Sequence, residues 1–183
     1  SQAVKLLPHL QVDERFCGES FYLTTLSDCR TFIEDRECCL LKAPLSGSGK
    51  GLNWCKGEFS PLIERWCARV IDREGGVVGE PVYNKVEDFA MEFCSDGAGK
   101  VRFAGYSLFH TNAGGAYEGN CLLSDAEIER RLSAYVPVDA LFRIQKELEK
   151  ELSASLGNEY AGYLGVDMMI CRSGALVWKS ICA

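Results

Sequence analysis

The chain of 183 residues contains no apolar run near the ~18 residues that a membrane-spanning helix requires, which excludes such a helix. It has no excess of positive charge. Lys and Arg number 20 against 26 Asp and Glu, for a formal net charge of −6, which speaks against a broad nucleic-acid-binding face. Histidine is scarce, only His9 and His110, and no pair among the ten cysteines has CxxC spacing. The clustered thiolates and imidazoles of a structural zinc site are therefore missing. Internal repeats, low-complexity segments and a secretory signal pattern are missing too. The first residue is Ser rather than Met, so the natural ends of the protein are expected to lie elsewhere. What is present is a globular composition: 47% hydrophobic, 25% charged and 10% aromatic residues. That is enough to bury a core and rules out disorder as the main state. Such a core needs no disulfide framework, so the cysteines are expected to be reduced, mostly buried thiols in a cytoplasmic protein.

Along the chain, helices and strands alternate without a strict order, which points to an α+β fold with antiparallel sheets. A short helix is expected around Ser27–Asp35. Cys38–Pro44 reads as a buried strand with Lys42 set into it, and it runs into the loop Ser46-Gly47-Ser48-Gly49-Lys50-Gly51. Ser60 and Pro61 open a helix whose apolar face is Leu62, Ile63, Trp66, Cys67 and Val70. Val77 to Tyr83 reads as a strand. Phe89, Met91 and Phe93 alternate with Ala90, Glu92 and Cys94, and the turn residues 95–99 lead back into a strand over 101–109. Thr111 to Asn120 reads as a second glycine-rich loop. Ser124 to Glu127 is a capping box, and a longer helix covers about Asp139–Ser155. Tyr163–Ile170 and Ala175–Trp178 read as a closing pair of strands.

The loop after Lys42 is not a P-loop, because Pro44 stands where the first glycine belongs and Gly51 follows Lys50 where Ser or Thr belongs. It is not a dinucleotide fingerprint either, since Leu52 replaces the third glycine. Two readings fit its chemistry. One is a flexible surface hairpin. The other is an anion cradle, in which glycine N–H groups converge on phosphate oxygens and Lys50 adds charge. Lys42 also has two readings, a lysine that reaches water from a strand end or an ammonium held over the same phosphates.

Taken in order, four segments resemble the ATP-grasp superfamily. They are Leu41-Lys42-Ala43-Pro44 with its Ser/Gly loop, Gly76–Tyr83, Glu87-Asp88-Phe89-Ala90-Met91 and Gly165-Val166-Asp167-Met168-Met169. The resemblance spans Lys42 to Ile170 and implies two α+β lobes, 1–80 and 81–183, with ATP between them. It implies ATP contacts from Lys42, Ser46, Gly47, Ser48, Gly49, Lys50, Glu80, Val82 and Asp88 (with Glu87 as the alternative to Asp88), and a magnesium ligand in Asp167. It further implies a ligase that joins a small-molecule carboxylate to an amine through an acylphosphate. On the residues alone, Glu80 also reads as a strand-end acid and Asp88 as a turn cap. Asp167 lies in a segment expected to be largely buried, where a carboxylate needs a cation or several donors.

The sequence departs from the family at one point: no Asp, Glu or Asn follows Asp167, where the family has a second metal-binding acid and an Asn. A chain cut short at both flanks, or a site reduced to nucleotide binding or assembly, would each account for this. An unfinished final sheet would also leave an edge for a homodimer.

Overall fold

The computed structural model describes residues 5–47, 50–173 and 176–181. Among the described residues, two groups of residues form two units. The first unit holds residues 19–83 and 112–117. Its elements are β1 (Phe21–Leu23), α1 (Leu26–Glu34), β2 (Cys39–Lys42), β3 (Leu52–Cys55), α2 (Pro61–Glu74) and β4 (Val77–Pro81). The strands pair in the order β1-β4-β2-β3, all antiparallel.

Local chemistry sets the helix ends. Thr25 and Asp28 close a capping box at the start of α1. The Ser60 hydroxyl accepts from the Ile63 N–H at the start of α2, which Gly75 ends in the left-handed region at φ 80°. Cys39, Leu41 and Ala43 alternate toward the helices and join Cys29, Phe32, Ile33, Cys67 and Val70 in the core. Burying a side chain the size of Leu41, Phe32, Ile33 or Val70 contributes about 1.5–3 kcal/mol. Leu40 and Lys42 take the other face of β2 by the same period-two rule. Gly79 lies against this core; a Cβ there would come 2.7 Å from the Phe32 ring.

Of the described residues, the second unit holds 5–18, 84–111, 118–173 and 176–181. It carries β5 (Lys85–Asp96), β6 (Val101–Thr111), β7 (Tyr117–Cys121), α3 (Asp125–Leu132), α4 (Val138–Leu156), β8 (Ala161–Ser173) and β9 (Leu176–Ile181). The sheet order is β7-β6-β5-β8-β9. Phe89, Met91 and Phe93 of β5, Leu108 of β6 and Val166, Met168 and Ile170 of β8 share one core with Ile128, Leu132, Leu141, Ile144, Leu148 and Leu152 of the two helices. The β5–β6 turn is fixed by Asp96, whose Oδ1 accepts from the N–H groups of Ala98 and Lys100. These bonds hold its carboxyl below the ordinary range.

Three expectations change. The segment 111–120 is not an open loop but a hairpin: β6 runs to Thr111, β7 begins at Tyr117, and Asn112 closes the turn between them. The Asn112 side chain accepts from the Gly114 and Ala116 N–H groups, an Asx turn that its glycine-rich composition concealed. Strand β4 ends at Pro81, so Val82 and Tyr83 lie beyond it. Strand β8 is far longer than the expected Tyr163–Ile170.

Candidate functional site

In the first unit, the antiparallel register sets Leu40 of β2 opposite Glu80 of β4 and Lys42 opposite Val78. Lys42 and Glu80 therefore point from the same face of the sheet, the face away from α1 and α2. The Lys42 ammonium lies 2.6 Å from the Glu80 carboxylate, with side-chain exposures of 24% and 3%. The Ser20 hydroxyl donates a longer bond, 3.4 Å, to the other Glu80 oxygen. A buried carboxylate is tolerated only with such partners. A cation at the edge of an apolar strand and a buried acid on the next strand thus form one unit of charge.

The loop after β2 starts from this pair. Its described part includes Ser46, Gly47, Lys50 and Gly51; Ser48 and Gly49 lie outside the described residues. The N–H of Ala43 donates to Gly51, that of Ser46 to Ala43 and that of Lys50 to Gly47. The N–H groups of Ser46 and Lys50 therefore close turns within the loop. The base of the loop is tied down by the Leu45 N–H, which donates to the Glu74 carboxylate at 2.8 Å. Gly51 is required where it stands: its φ is 73°, and a Cβ there would come 2.5 Å from the Ser46 hydroxyl. Val82, beyond β4, is exposed.

In the second unit, one sheet face carries the acids. Asp88, Ala90 and Glu92 alternate with the core residues of β5, and Gly165, Asp167 and Met169 do so on β8, with Ala90 opposite Asp167 and Glu92 opposite Gly165. Asp88 is buried and shared between Lys85 and Thr111; the Lys85 ammonium contacts both, and the Thr111 hydroxyl donates to Asp88 at 2.7 Å. Neither Lys85 nor Thr111 stands out in the sequence. A strand beginning at Phe89 leaves Lys85 outside it, and the register shift between Lys85 and Glu87 hides the continuation.

Asp167 departs from expectation: it is exposed, not buried. The run Val166 to Ile170 is apolar apart from Asp167, yet Val166, Met168 and Ile170 alone enter the core, and Asp167 takes the opposite face. Glu92 is the functional candidate that the sequence hid, because a polar residue between Met91 and Phe93 reads as ordinary strand alternation. It is half-buried and lies over Gly165, where a Cβ would come 2.9 Å from its Oε2. Burial first, and then the charge of Asp167, push its carboxyl above the ordinary range.

No family model and no curated protein sequence matches the chain. Solved structures do. The biotin carboxylase domain dimer of Hydrogenobacter thermophilus 2-oxoglutarate carboxylase, in complex with MgADP, ADP and bicarbonate, aligns with a TM-score of 0.68 at 13% identity, covering 99% of this chain and 38% of that one. Biotin carboxylase from Campylobacter jejuni, as a β-γ-ATP complex, gives 0.60 at 13% identity, with coverages of 100% and 40%. N5-carboxyaminoimidazole synthetase from Staphylococcus aureus, complexed with ADP, gives 0.57 at 13% identity, with coverages of 98% and 42%. All three are ATP-grasp enzymes.

This chain has the ATP-grasp fold. It spans about two fifths of the length of those three proteins, 38% to 42%. The four segments that suggested the ATP-grasp resemblance fall, in order, on β2 and its loop, on β4, on β5 and on β8. Among the described residues of this ATP-grasp fold, no three His, Cys, Asp or Glu side chains gather to hold a metal ion, and no helix is long and apolar enough to cross a membrane.

Proposed function

We propose that this chain is the nucleotide-binding part of an ATP-dependent ligase which, in complete form, joins a carboxylate to an amine through an acylphosphate. The observation that carries this reading is the fold, matched over 99% of the chain by a carboxylase domain solved with MgADP. Lys42 would bind phosphate oxygens as a point charge, with Glu80 holding it in place; Glu80 and the Val82 backbone would meet the adenine edge, and Asp88 the ribose hydroxyls. Ser46 to Lys50 would cover the phosphates. The partners are a nucleotide, a small-molecule carboxylate and a second copy of the chain in a cytoplasmic protein.

The donor set fits magnesium in one specific way. Mg²⁺ is commonly held by one or two carboxylates, with phosphates and water completing its shell. Asp167 would supply one hard oxygen donor, and Glu92, close enough for its proton affinity to respond to Asp167, would supply another. A bound cation would relieve the repulsion between them and would neutralise phosphate charge.

A non-catalytic nucleotide-binding or assembly module of the same fold is the second reading, and β9 favours it: Leu176–Ile181 has neither carboxylate nor carboxamide. Calorimetric titration with ATP, with and without Mg²⁺, separates the two. Tighter binding with Mg²⁺, lost in Asp167→Asn and weakened in Glu92→Gln, supports the ligase reading. Binding indifferent to Mg²⁺ supports the module. No ATP binding by the folded chain refutes both.

A further inference from the structure

The second sheet ends at β7, an edge strand, and the hairpin that joins it to β6 carries a pair of residues that the nucleotide reading does not use. The Cys121 Sγ lies 3.2 Å from His110 Nε2. His110 is exposed and Cys121 is half-buried, so reagents in solution can reach the pair. The chain has only two histidines, and one of them is set against a thiol. The other described cysteines are differently placed. Cys29, Cys39, Cys55, Cys67 and Cys171 are buried, Cys17 and Cys94 are half-buried, and Cys38 is exposed. Burial also raises the Cys17 thiol above its ordinary range.

We infer that Cys121 and His110 form a reactive thiol–imidazole dyad whose substrates are small-molecule disulfides, making Cys121 the site at which this chain is S-thiolated. A thiol becomes a nucleophile when an adjacent base removes its proton. In the tautomer with Nδ1 protonated, Nε2 is free to accept that proton. The thiolate attacks one sulfur of the disulfide RSSR. A new S–S bond forms between Cys121 and one RS group as the old one breaks, and the departing RS⁻ takes the proton from the imidazolium and leaves as RSH. The disulfide is itself the oxidant, so no further reagent is needed.

The magnitude follows from thiol chemistry. An ordinary thiol is only a few per cent thiolate at neutral pH, so complete removal of its proton raises its reactivity about thirtyfold. The weaker intrinsic nucleophilicity of a stabilised thiolate returns a factor of a few, leaving about tenfold. Exposure alone makes the opposite ranking, since Cys38 is the more open residue.

The test incubates the folded chain with glutathione disulfide at pH 7 and follows each cysteine by peptide mass mapping. Cys121 is expected to react about tenfold faster than Cys38. His110→Ala is expected to bring Cys121 down about tenfold while leaving Cys38 unchanged. His110→Gln, which keeps a polar side chain but no base, repeats the measurement should the alanine variant fold poorly. In urea the two cysteines should react alike, which traces the difference to the fold. The inference is overturned if Cys38 leads in the folded chain, or if Cys121 keeps its rate in a folded His110 variant. It does not depend on nucleotide binding.

Discussion

Replacing Lys42 with Met tests both the architecture of the first sheet and the proposed phosphate contact. The substitution keeps the aliphatic stem and removes the charge that lies 2.6 Å from Glu80. Glu80 is then left 2% exposed, with the 3.4 Å bond from Ser20. Removing one partner of a buried ion pair costs about 3–5 kcal/mol, because the remaining charge stays desolvated. Lys42 keeps about a quarter of its side chain in water, 24%, so the pair is already partly hydrated. The expected loss is therefore at the low end, about 3 kcal/mol. The double variant Lys42→Met/Glu80→Leu removes the orphaned charge as well and should return to within about 1 kcal/mol of the original chain. Urea denaturation of the four chains gives the coupling energy directly, with about 2–3 kcal/mol expected. A single-variant loss below about 1 kcal/mol would refute the reasoning, since an isolated carboxylate at that burial cannot be so cheap. The double variant then isolates the functional role. It lacks the cation without leaving a buried charge, and compared with Glu80→Leu alone, which already lacks the proposed adenine contact, its affinity for ATP reports the phosphate contact. A hydrogen bond to a charged group contributes about 1.5–3 kcal/mol. Binding should thus weaken roughly tenfold to a hundredfold, and unchanged affinity would remove Lys42 from the nucleotide site.

Two further perturbations probe the scaffold. Gly79→Ala places a methyl group 2.7 Å from the Phe32 ring and 3.0 Å from Leu23; it should destabilise the chain by about 1–3 kcal/mol in urea denaturation through overpacking. Tyr106 should be the slow one to ionise in an alkaline absorbance titration, because burial, with smaller contributions from Glu129 and Asp125, pushes its phenol up to about 12. The folded state holds that proton more tightly than the unfolded one. The contribution to stability is therefore complete below pH 10 and is lost as pH rises from 10.0 to about 12. Tyr106→Phe should remove that part of the alkaline loss, and an unchanged profile would assign it to other groups.

How far the arrangement of the candidate site could be read in advance depended on whether its signal was local. Lys42 was legible because a cation in an apolar strand must find a partner. Glu80 was legible as an acid in the segment resembling the family's linker strand. Their pairing was not, because it depends on β2 lying beside β4 rather than on the intervening chain. Two helix starts were legible for the same local reason, since Ser60 and Ser124 accept bonds from their own first turns; the Thr25 cap of α1 was not read. Lys85 and Thr111 were illegible because their meeting at Asp88 requires both a register shift in β5 and the full length of β6.

Asp167 shows the limit most clearly. A near-continuous apolar run suggests a strand buried on both faces, the habit of parallel sheets. Strand β8 belongs to an antiparallel sheet, as the α+β pattern implied, and there one face meets the helices and the other does not. The second face therefore has to be judged residue by residue, and it carries both Asp167 of β8 and Glu92 of β5. Sequence alone treats Glu92 as filler between Met91 and Phe93, and only its pairing with Gly165 shows where its carboxylate lies, within reach of the charge of Asp167. The same pairing alters the weight of the missing acid on β9. A metal held by two carboxylates and the phosphates of its nucleotide needs no third protein ligand. The absence of an acid after Asp167 in this sequence thus bears on the catalytic half of the proposal, and leaves its nucleotide-binding half to stand or fall on titration with ATP.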